Sequence, residues 1–171
     1  LQGDKFVSNS IADKALNIIL DAVGLSKTFI LYPCNNTDNA AAFTYKGERY
    51  IFYNTEFMRS VNANSNNWSN LFILAHEIGH HVNGHTKDIL LYASDMIDKE
   101  TLSLSRMQES QADKFAGFVL SKLGADKRSI IDVISTFSST GDDSMSTHPN
   151  RQKRINAALN DYAVDAATDV V

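Results

Sequence analysis

The stretch FILAHEIGHHVNGHT, residues 72–86, restricts the fold more than any other part of the sequence. It holds four of the chain's five histidines within ten residues. Three of its residues, His76, Glu77 and His80, form the pattern H-E-x-x-H, whose two histidines share one face only on a helix. Apolar residues recur around them at helical spacing, so the sequence predicts a mostly buried helix from 68 to about 86.

The spacing of this pattern favours a metal site. Histidines at i and i+4 can both bind one Zn²⁺, while Glu77 lies beside the metal without binding it. There it can take a proton from a water molecule that zinc has made more acidic. The alternative is a helix whose histidines are only solvated, but H-E-x-x-H seldom arises by chance in a chain of 171 residues. The pattern therefore predicts that His76 and His80 are ligands and that Glu77 is a general base.

His81 and His85 also stand four residues apart, on a different face of the predicted helix. No carboxylate lies beside them at the spacing that metal chemistry requires. We interpret them as surface histidines or as residues that support the ligand histidines. A second metal bound by this pair is the less favoured alternative.

A catalytic zinc usually has three protein ligands and a water molecule, so a third ligand must be found. The longer pattern H-E-x-x-H-x-x-G-x-x-H would supply it from the same segment, but Asn83 and Thr86 occupy the positions of its glycine and third histidine. His85 misses the required position by one residue, which on a helix is a rotation of about 100°. The longer pattern is therefore excluded.

The segment RMQESQADKFAGFVLSKLG, residues 106–124, offers Glu109 and Asp113 on one exposed helical face. Glu109 could complete a site of two histidines and one glutamate. Asp113 could accept the outer N–H of a ligand histidine, for which His76 is favoured, and so fix the ring's tautomer. The alternative is a pair of solvated carboxylates, since Glu and Asp are usually exposed.

Three separated segments of the chain resemble one family of zinc peptidases. They are LAHEIGHHVNGH at 74–85, ESQADKFA at 109–116 and STHPNRQKRI at 146–155, and they follow one another in the family's order. The family is the gluzincin group that includes the CAAX prenyl protease and the HtpX-type heat-shock proteases, and the chain's length is similar to its compact, soluble minigluzincin forms. A weaker similarity is NAAAF at 39–43, where such enzymes have an edge strand.

The resemblance implies a role for each matching residue. It implies one Zn²⁺ per chain, with His76, His80 and Glu109 as its ligands, Glu77 as general base, Asp113 as support for a ligand histidine, and His148 as a second catalytic residue. His148 would stabilise the oxyanion or bind substrate, and a histidine just before a helix N-terminus suits that role. The alternative for His148 is a capping or surface residue. Arg151 and Arg154 could contact a carboxylate of the site, or be solvated at the surface.

The wider pattern predicts an α+β fold. Helices are expected at 10–23, 68–86, 98–123, 126–137 and from about Pro149, with Thr147 as a possible cap of the last and Ser65 or Ser69 as a cap of the second. Strands are expected at 28–34, 41–46 and 49–54, with a turn at 46–48 between the last two. The prediction is a zincin-like domain in which a small, mostly antiparallel sheet packs on the H-E-x-x-H helix, followed by a helical half that carries Glu109.

The predicted function is a zinc-dependent endopeptidase. An edge strand formed by Ala41, Ala42 and Phe43 would line the cleft and bind a peptide or an unfolded protein as an added strand. The alternative is a catalytically silent or latent zinc-binding domain that recognises peptides on the same fold. Glu77 argues against a silent domain, since a site that only binds has no use for a base.

Composition limits the remaining possibilities. With 171 residues and 43% hydrophobic content, the sequence predicts one domain over 1–171. A net charge of -4 offers no general attraction for phosphate, so nucleic acid is not an expected partner. The apolar runs are far shorter than the roughly 20 residues that span a bilayer, and no membrane contact is expected from this chain. Cys34 is the only cysteine, which excludes a cysteine-based zinc cluster.

Overall fold

A computed structural model of the protein describes residues 5–26, 28–36, 40–56, 68–85, 99–136, 138–146 and 148–168. The fold is α+β, and its elements are α1 (Lys5–Val23), β1 (Phe29–Pro33), β2 (Ala40–Tyr45), β3 (Glu48–Tyr53), α2 (Ser69–Val82), α3 (Lys99–Lys122), α4 (Lys127–Thr136) and α5 (Arg151–Thr168). Each predicted helix and strand is present. The largest change is in α1, which begins five residues before the predicted start at 10.

The three strands form one mixed sheet in the order β1-β3-β2. β2 and β3 are antiparallel and joined by the predicted turn, in which Lys46 and Gly47 both have positive φ, 49° and 77°. Such a turn matches the twist of the strands it joins. β1 instead pairs with β3 in parallel, so the prediction of a mostly antiparallel sheet was wrong. The residues of the turn predict the hairpin locally. The direction of the β1–β3 pair has no such local signal, because the chain passes through β2 before β3 pairs with β1.

The two faces of the sheet differ. Ile51 and Tyr53 of β3 are buried on the inner face, and Ile51 joins the main core with the helices. Alternation along the strand puts Phe52 on the other face, where its ring centroid lies 5.7 Å from that of Phe43 and 6.0 Å from that of Tyr32. β2 is an edge strand of this sheet, and it packs beside α2.

α2 is the central element of the fold. Ten of its residues are buried, because the sheet and α1 cover one side of it and α3 covers another. The main core combines apolar side chains from the helices and from β1 and β3, among them Leu16, Ile19, Ile51, Phe72, Ile78, Val119 and Ile134. In the described part of the chain, no helix is long and apolar enough to cross a membrane.

Two glycines let the helices approach closely. A Cβ added to Gly79, inside the H-E-x-x-H motif, would lie 3.1 Å from the Cα of Ala112 in α3. A Cβ added to Gly117 in α3 would lie 1.9 Å from the carbonyl oxygen of Ala158 in α5. Close α2–α3 and α3–α5 packing brings functional groups from three helices within hydrogen-bonding distance.

Of the residues predicted to cap helices, only Ser69 lies in the described part of the chain, and it is not a cap. The residue that precedes α2 is Trp68, and its side chain makes no capping hydrogen bond. Ser69 is instead the first helical residue and is buried, so its assignment as the cap was wrong. Ser65 and Thr147 lie outside the described residues, and so does Asn39 of the weak similarity at 39–43.

Candidate metal centre

The polar side chains of α2 and α3 meet where the two helices pack together. The Nε2 atom of His76 lies 2.8 Å from Oε2 of Glu109, and the Nε2 atom of His80 lies 3.2 Å from Oε1. The two Nε2 atoms are 3.2 Å apart. One ligand atom from each residue falls within 4.8 Å of the others, which is a spacing suited to a single metal ion.

Glu109 provides a test of whether a metal fits here. Its Oε2 atom is buried and accepts no hydrogen bond from the residues that the structure describes, although His76 Nε2 is 2.8 Å away. The histidine nitrogen is therefore close without being aligned as a donor. Two imidazole nitrogens and a carboxylate oxygen aimed at a common point are a donor set that suits Zn²⁺.

Asp113 lies one turn beyond Glu109 and supports His76. Its Oδ1 atom is 2.9 Å from His76 Nδ1, the ring nitrogen that faces away from Glu109. Arg154 of α5 donates to both carboxylate oxygens, from Nε to Oδ2 at 2.8 Å and from Nη2 to Oδ1 at 2.9 Å. Asp113 is fully buried and Arg154 is 7% exposed. The predicted exposed position of Asp113 was wrong, because α5 covers this face of α3.

Arg154 is the functional residue whose position the sequence predicted least well. Solvation at the surface was at least as strong an expectation for it as contact with the site. In the structure it is buried, and its two hydrogen bonds to Asp113 have the fork geometry of a bidentate guanidinium–carboxylate pair. Arg151, in contrast, donates from Nη2 to the carbonyl oxygen of Ser138 at 2.8 Å and so holds a loop.

Glu77 is buried on α2, beside His76 and facing the edge strand β2. The backbone amide of Ala42 in β2 donates a hydrogen bond to its carboxylate. Burial raises the pKa of Glu77 to about 7, in spite of His76 and the Ala42 amide, which both lower it. A carboxylate with a pKa near neutrality can both accept and return a proton at physiological pH.

His148 reaches the same site from the loop before α5. Its Nδ1 atom lies 3.4 Å from Oε2 of Glu109, and its side chain is 58% exposed. Arg106 of α3 anchors this loop by donating to the carbonyl oxygens of Ser144 and Ser146, at 3.1 and 2.9 Å. The sequence predicted that His148 approaches the site, whereas the anchoring role of Arg106 had no sequence signal.

The two remaining histidines of the cluster differ from each other. His81 is 2% exposed, its Nε2 atom lies 2.9 Å from the carbonyl oxygen of Tyr50, and its ring contacts Phe29. It joins α2 to the sheet. His85 lies just beyond α2, with Nδ1 3.2 Å from Nδ1 of His80 and Nε2 2.6 Å from Oε1 of Gln111. Burial lowers the pKa of both, which favours neutral imidazoles.

The electrostatics of the site favour a cation. Burial alone would lower the pKa of His76, but Glu109 and Asp113 outweigh it and raise this pKa to about 10. Burial alone would raise the pKa of Glu109, but the nearby histidines hold it far below its ordinary value. The carboxylates of Glu109 and Asp113 thus stabilise positive charge at His76, and a metal cation at the same place would gain from the same attraction.

An α+β fold that holds two histidines and a glutamate beside a second, buried glutamate has the features of a peptidase. The comparison with protein families agrees: the model of the family Peptidase U49 matches residues 58–170, about two thirds of the chain. The chain belongs to this family. Searches of curated proteins and of solved structures find no match.

The family match covers every predicted ligand and catalytic residue, and also Asp113, Arg154, His85 and Gln111. It begins after β3, so the predicted substrate-binding residues Ala41, Ala42 and Phe43 lie outside it. Membership supports proteolytic activity and a peptide or protein as substrate.

Proposed function

We propose that this protein is a zinc-dependent endopeptidase of the gluzincin type, with one Zn²⁺ held by His76, His80 and Glu109. The observation that carries the proposal is that their ligand atoms lie within 4.8 Å of one another beside the buried carboxylate of Glu77. Membership of a peptidase family adds independent support. The resemblance of 74–85, 109–116 and 146–155 to gluzincins supports the finer assignment.

Zinc, when bound, supplies a Lewis acid that polarises a carbonyl and lowers the pKa of water toward about 7. Glu77 takes a proton from the attacking water and later passes it to the leaving amine. Its burial next to Ala42 keeps the carboxylate in one orientation, so that little reorganisation is needed during the transfer. His148, exposed at the rim of the site, donates a hydrogen bond to the oxygen that becomes negative.

The substrate binds along β2 in this proposal. The Ala42 amide points away from β3 toward Glu77, so the outer edge of β2 runs beside the general base. An extended peptide that adds next to Ala41, Ala42 and Phe43 would carry its scissile carbonyl past Glu77 and His148. Binding through backbone groups suits an endopeptidase, since it requires neither terminus of the substrate.

The proposal is tested by zinc content and by cleavage of an unfolded protein such as casein. We expect one zinc per chain and cleavage by the wild type. Glu77→Gln should retain zinc and lose at least about 100-fold in rate, as expected for the loss of a general base. The matched control is Glu48→Gln, at an exposed site on β3, and it should cleave like the wild type.

Other outcomes would contradict the proposal in different ways. If the wild type binds zinc but cleaves no better than Glu77→Gln on any peptide pool, the protein is a silent or latent zinc-binding domain. If His80→Ala retains full zinc content, the metal assignment itself is wrong. Removal of zinc by a chelator should abolish cleavage, and added zinc should restore it.

A further inference from the structure

The proposed ligand His80 has an unusual neighbour on its outer nitrogen. Asp113 and Arg154 support His76, whereas His80 Nδ1 faces another imidazole, with Nδ1 of His85 3.2 Å away. On its far side, His85 Nε2 lies 2.6 Å from the amide oxygen of Gln111. Gln111 is in α3, two residues after the proposed ligand Glu109. The three side chains form a chain of contacts from α3, through the end of α2, to the metal centre.

The backbone at the end of α2 explains how His85 reaches His80. Gly84 has a φ of 71°, and its N–H donates to the carbonyl oxygen of His81 at 3.2 Å. The N–H of His85 donates to the carbonyl oxygen of His80 at 2.9 Å. These two bonds define a Schellman ending, which brings the residue after the glycine back against the residue five positions earlier. The contact between His80 and His85 is therefore built by a specific turn.

Hydrogen-bond chemistry gives the contacts among Gln111, His85 and His80 one direction. An amide oxygen can only accept, so His85 must donate its Nε2–H to Gln111. In the neutral imidazole the Nδ1 atom of His85 then carries a lone pair, which can accept only if His80 donates its Nδ1–H. In the neutral ring of His80, the remaining nitrogen, Nε2, then carries a lone pair toward Glu109 and His76.

We propose that His85 and Gln111 are positioning residues of the metal site, which fix His80 in the tautomer that presents its Nε2 lone pair to zinc. This inference rests on the proposed metal site but not on peptidase activity. Because the support of His80 is neutral, it orients the ligand without adding another negative charge to a site that already holds three carboxylates. Outer partners of ligand histidines typically change metal affinity by about 10 to 100-fold.

The test measures zinc affinity by competition with a chelator, after each variant is shown to be folded. We expect His85→Phe and Gln111→Leu each to bind zinc about 10 to 100-fold more weakly. The double variant should bind no more weakly than His85→Phe alone, since Gln111 acts through His85. Gln152→Leu, at an exposed position of α5, is the matched control and should bind like the wild type.

Two conservative variants separate positioning from a general effect on structure. Gln111→Glu keeps an acceptor for the Nε2–H of His85 and should bind zinc more tightly than Gln111→Leu. If Gln111 instead donated to His85, Gln111→Glu would bind as weakly as Gln111→Leu. His85→Asn can offer its amide oxygen to His80 and should recover most of the affinity lost in His85→Phe. In His85→Asn, the further change Gln111→Leu should have little effect.

The tautomer is measured directly by nitrogen NMR of the His80 ring in metal-free protein, which requires neither zinc nor activity. We expect the proton on Nδ1 in the wild type and a mixture of tautomers in His85→Phe. A proton on Nε2 in the wild type, or affinities within twofold of wild type for both His85→Phe and Gln111→Leu, would overturn the inference. Tight zinc binding without peptidase activity would contradict the proposed function and leave the inference standing.

Discussion

Arg154 and Asp113 show how a buried charge can support a proposed metal ligand, His76. Asp113 orients His76, but a carboxylate that is fully buried is stable only with a partner, and Arg154 supplies two hydrogen bonds. Burial alone would raise the pKa of Asp113, yet His76 and Arg154 hold it below its ordinary value. The acid therefore stays ionised and continues to accept from His76 at neutral pH.

The proposed ligand Glu109 and the proposed supporting residue Asp113 can be distinguished by mutation. Asp113→Ala should weaken zinc binding by about 10 to 100-fold, because His76 loses its orienting partner. Glu109→Ala should weaken it further, since a ligand is lost. Zinc affinity is measured by chelator competition, and Asp113→Ala is combined with Arg154→Met so that the guanidinium is not left buried without its partner. Equal affinities for the two variants would contradict the assignment of Glu109.

Helix packing, more than any single side chain, sets the geometry of the centre. α3 contributes Glu109 to the site through its contact with α2, and its contact with α5 brings Arg154 to Asp113. Both contacts depend on glycines at which a methyl group would meet the neighbouring helix. A change in either packing distance would therefore separate the proposed ligands from one another or from the residues that support them.

Gly117→Ala tests the α3–α5 contact. The new Cβ would lie 1.9 Å from the carbonyl oxygen of Ala158, so the helices must move apart. We expect the free energy of unfolding to fall by about 1 to 3 kcal/mol or more, measured by urea denaturation. Ser103→Ala, at an exposed position of α3, should change it by less than about 0.5 kcal/mol. Equal stability of the two variants would show that α3 and α5 do not pack this closely.

The loop that carries His148 is held not only by Arg106 but also by the carboxylate of Asp143. This carboxylate accepts hydrogen bonds from Lys153 Nζ and from the backbone N–H of Asn150, both at 2.8 Å. The hydrogen bond from Lys153, and then that from Asn150, lower the pKa of Asp143. A lowered pKa means that this contribution to stability is present above the unfolded pKa of about 3.9 and is lost as pH falls through the folded value.

Asp143→Asn should therefore destabilise the protein in a pH-dependent way. We expect a constant loss of unfolding free energy above about pH 5, and a loss that shrinks as the pH falls below the unfolded pKa of about 3.9 and through the lower folded value. The measurement is urea denaturation of metal-free wild type and variant across this range. A difference that does not depend on pH would show that the Asp143 charge has no part in holding the loop.

At the level of the whole molecule, the proposed zinc site joins two helices that also pack together in the main core. His76 and His80 come from α2, next to the sheet, and Glu109 comes from α3, which packs on α5. A ligand that binds only the folded state stabilises it by mass action. Zinc should therefore act as a crosslink between α2 and α3.

Zinc is expected to raise the free energy of unfolding by about 2.7 kcal/mol at a free concentration of 100 times Kd. Thermal unfolding with and without zinc measures this, and the transition should move upward with zinc concentration. His80→Ala should show little gain, and Mg²⁺ should not replace zinc because it prefers oxygen ligands. The same gain in wild type and His80→Ala would place zinc elsewhere in the molecule.

Much of the candidate site follows from local sequence rules. The H-E-x-x-H pattern required a helix, the four-residue spacing of Glu109 and Asp113 put both on one face of α3, and Lys46-Gly47 marked the hairpin. A further local signal lies at the end of α2. Gly84 followed by His85 is typical of a Schellman ending, and that ending alone would have predicted the contact between His85 and His80.

By itself, the sequence determined the helices, the hairpin and which residues share a helical face, because periodicity and turn conformation act over only a few residues. Only the tertiary structure decided which faces are covered. It buried Asp113 and Arg154 together, placed Gln111 against His85, and paired β1 with β3 in parallel. These contacts join residues far apart in sequence, and their free energy depends on how whole helices and strands pack against one another.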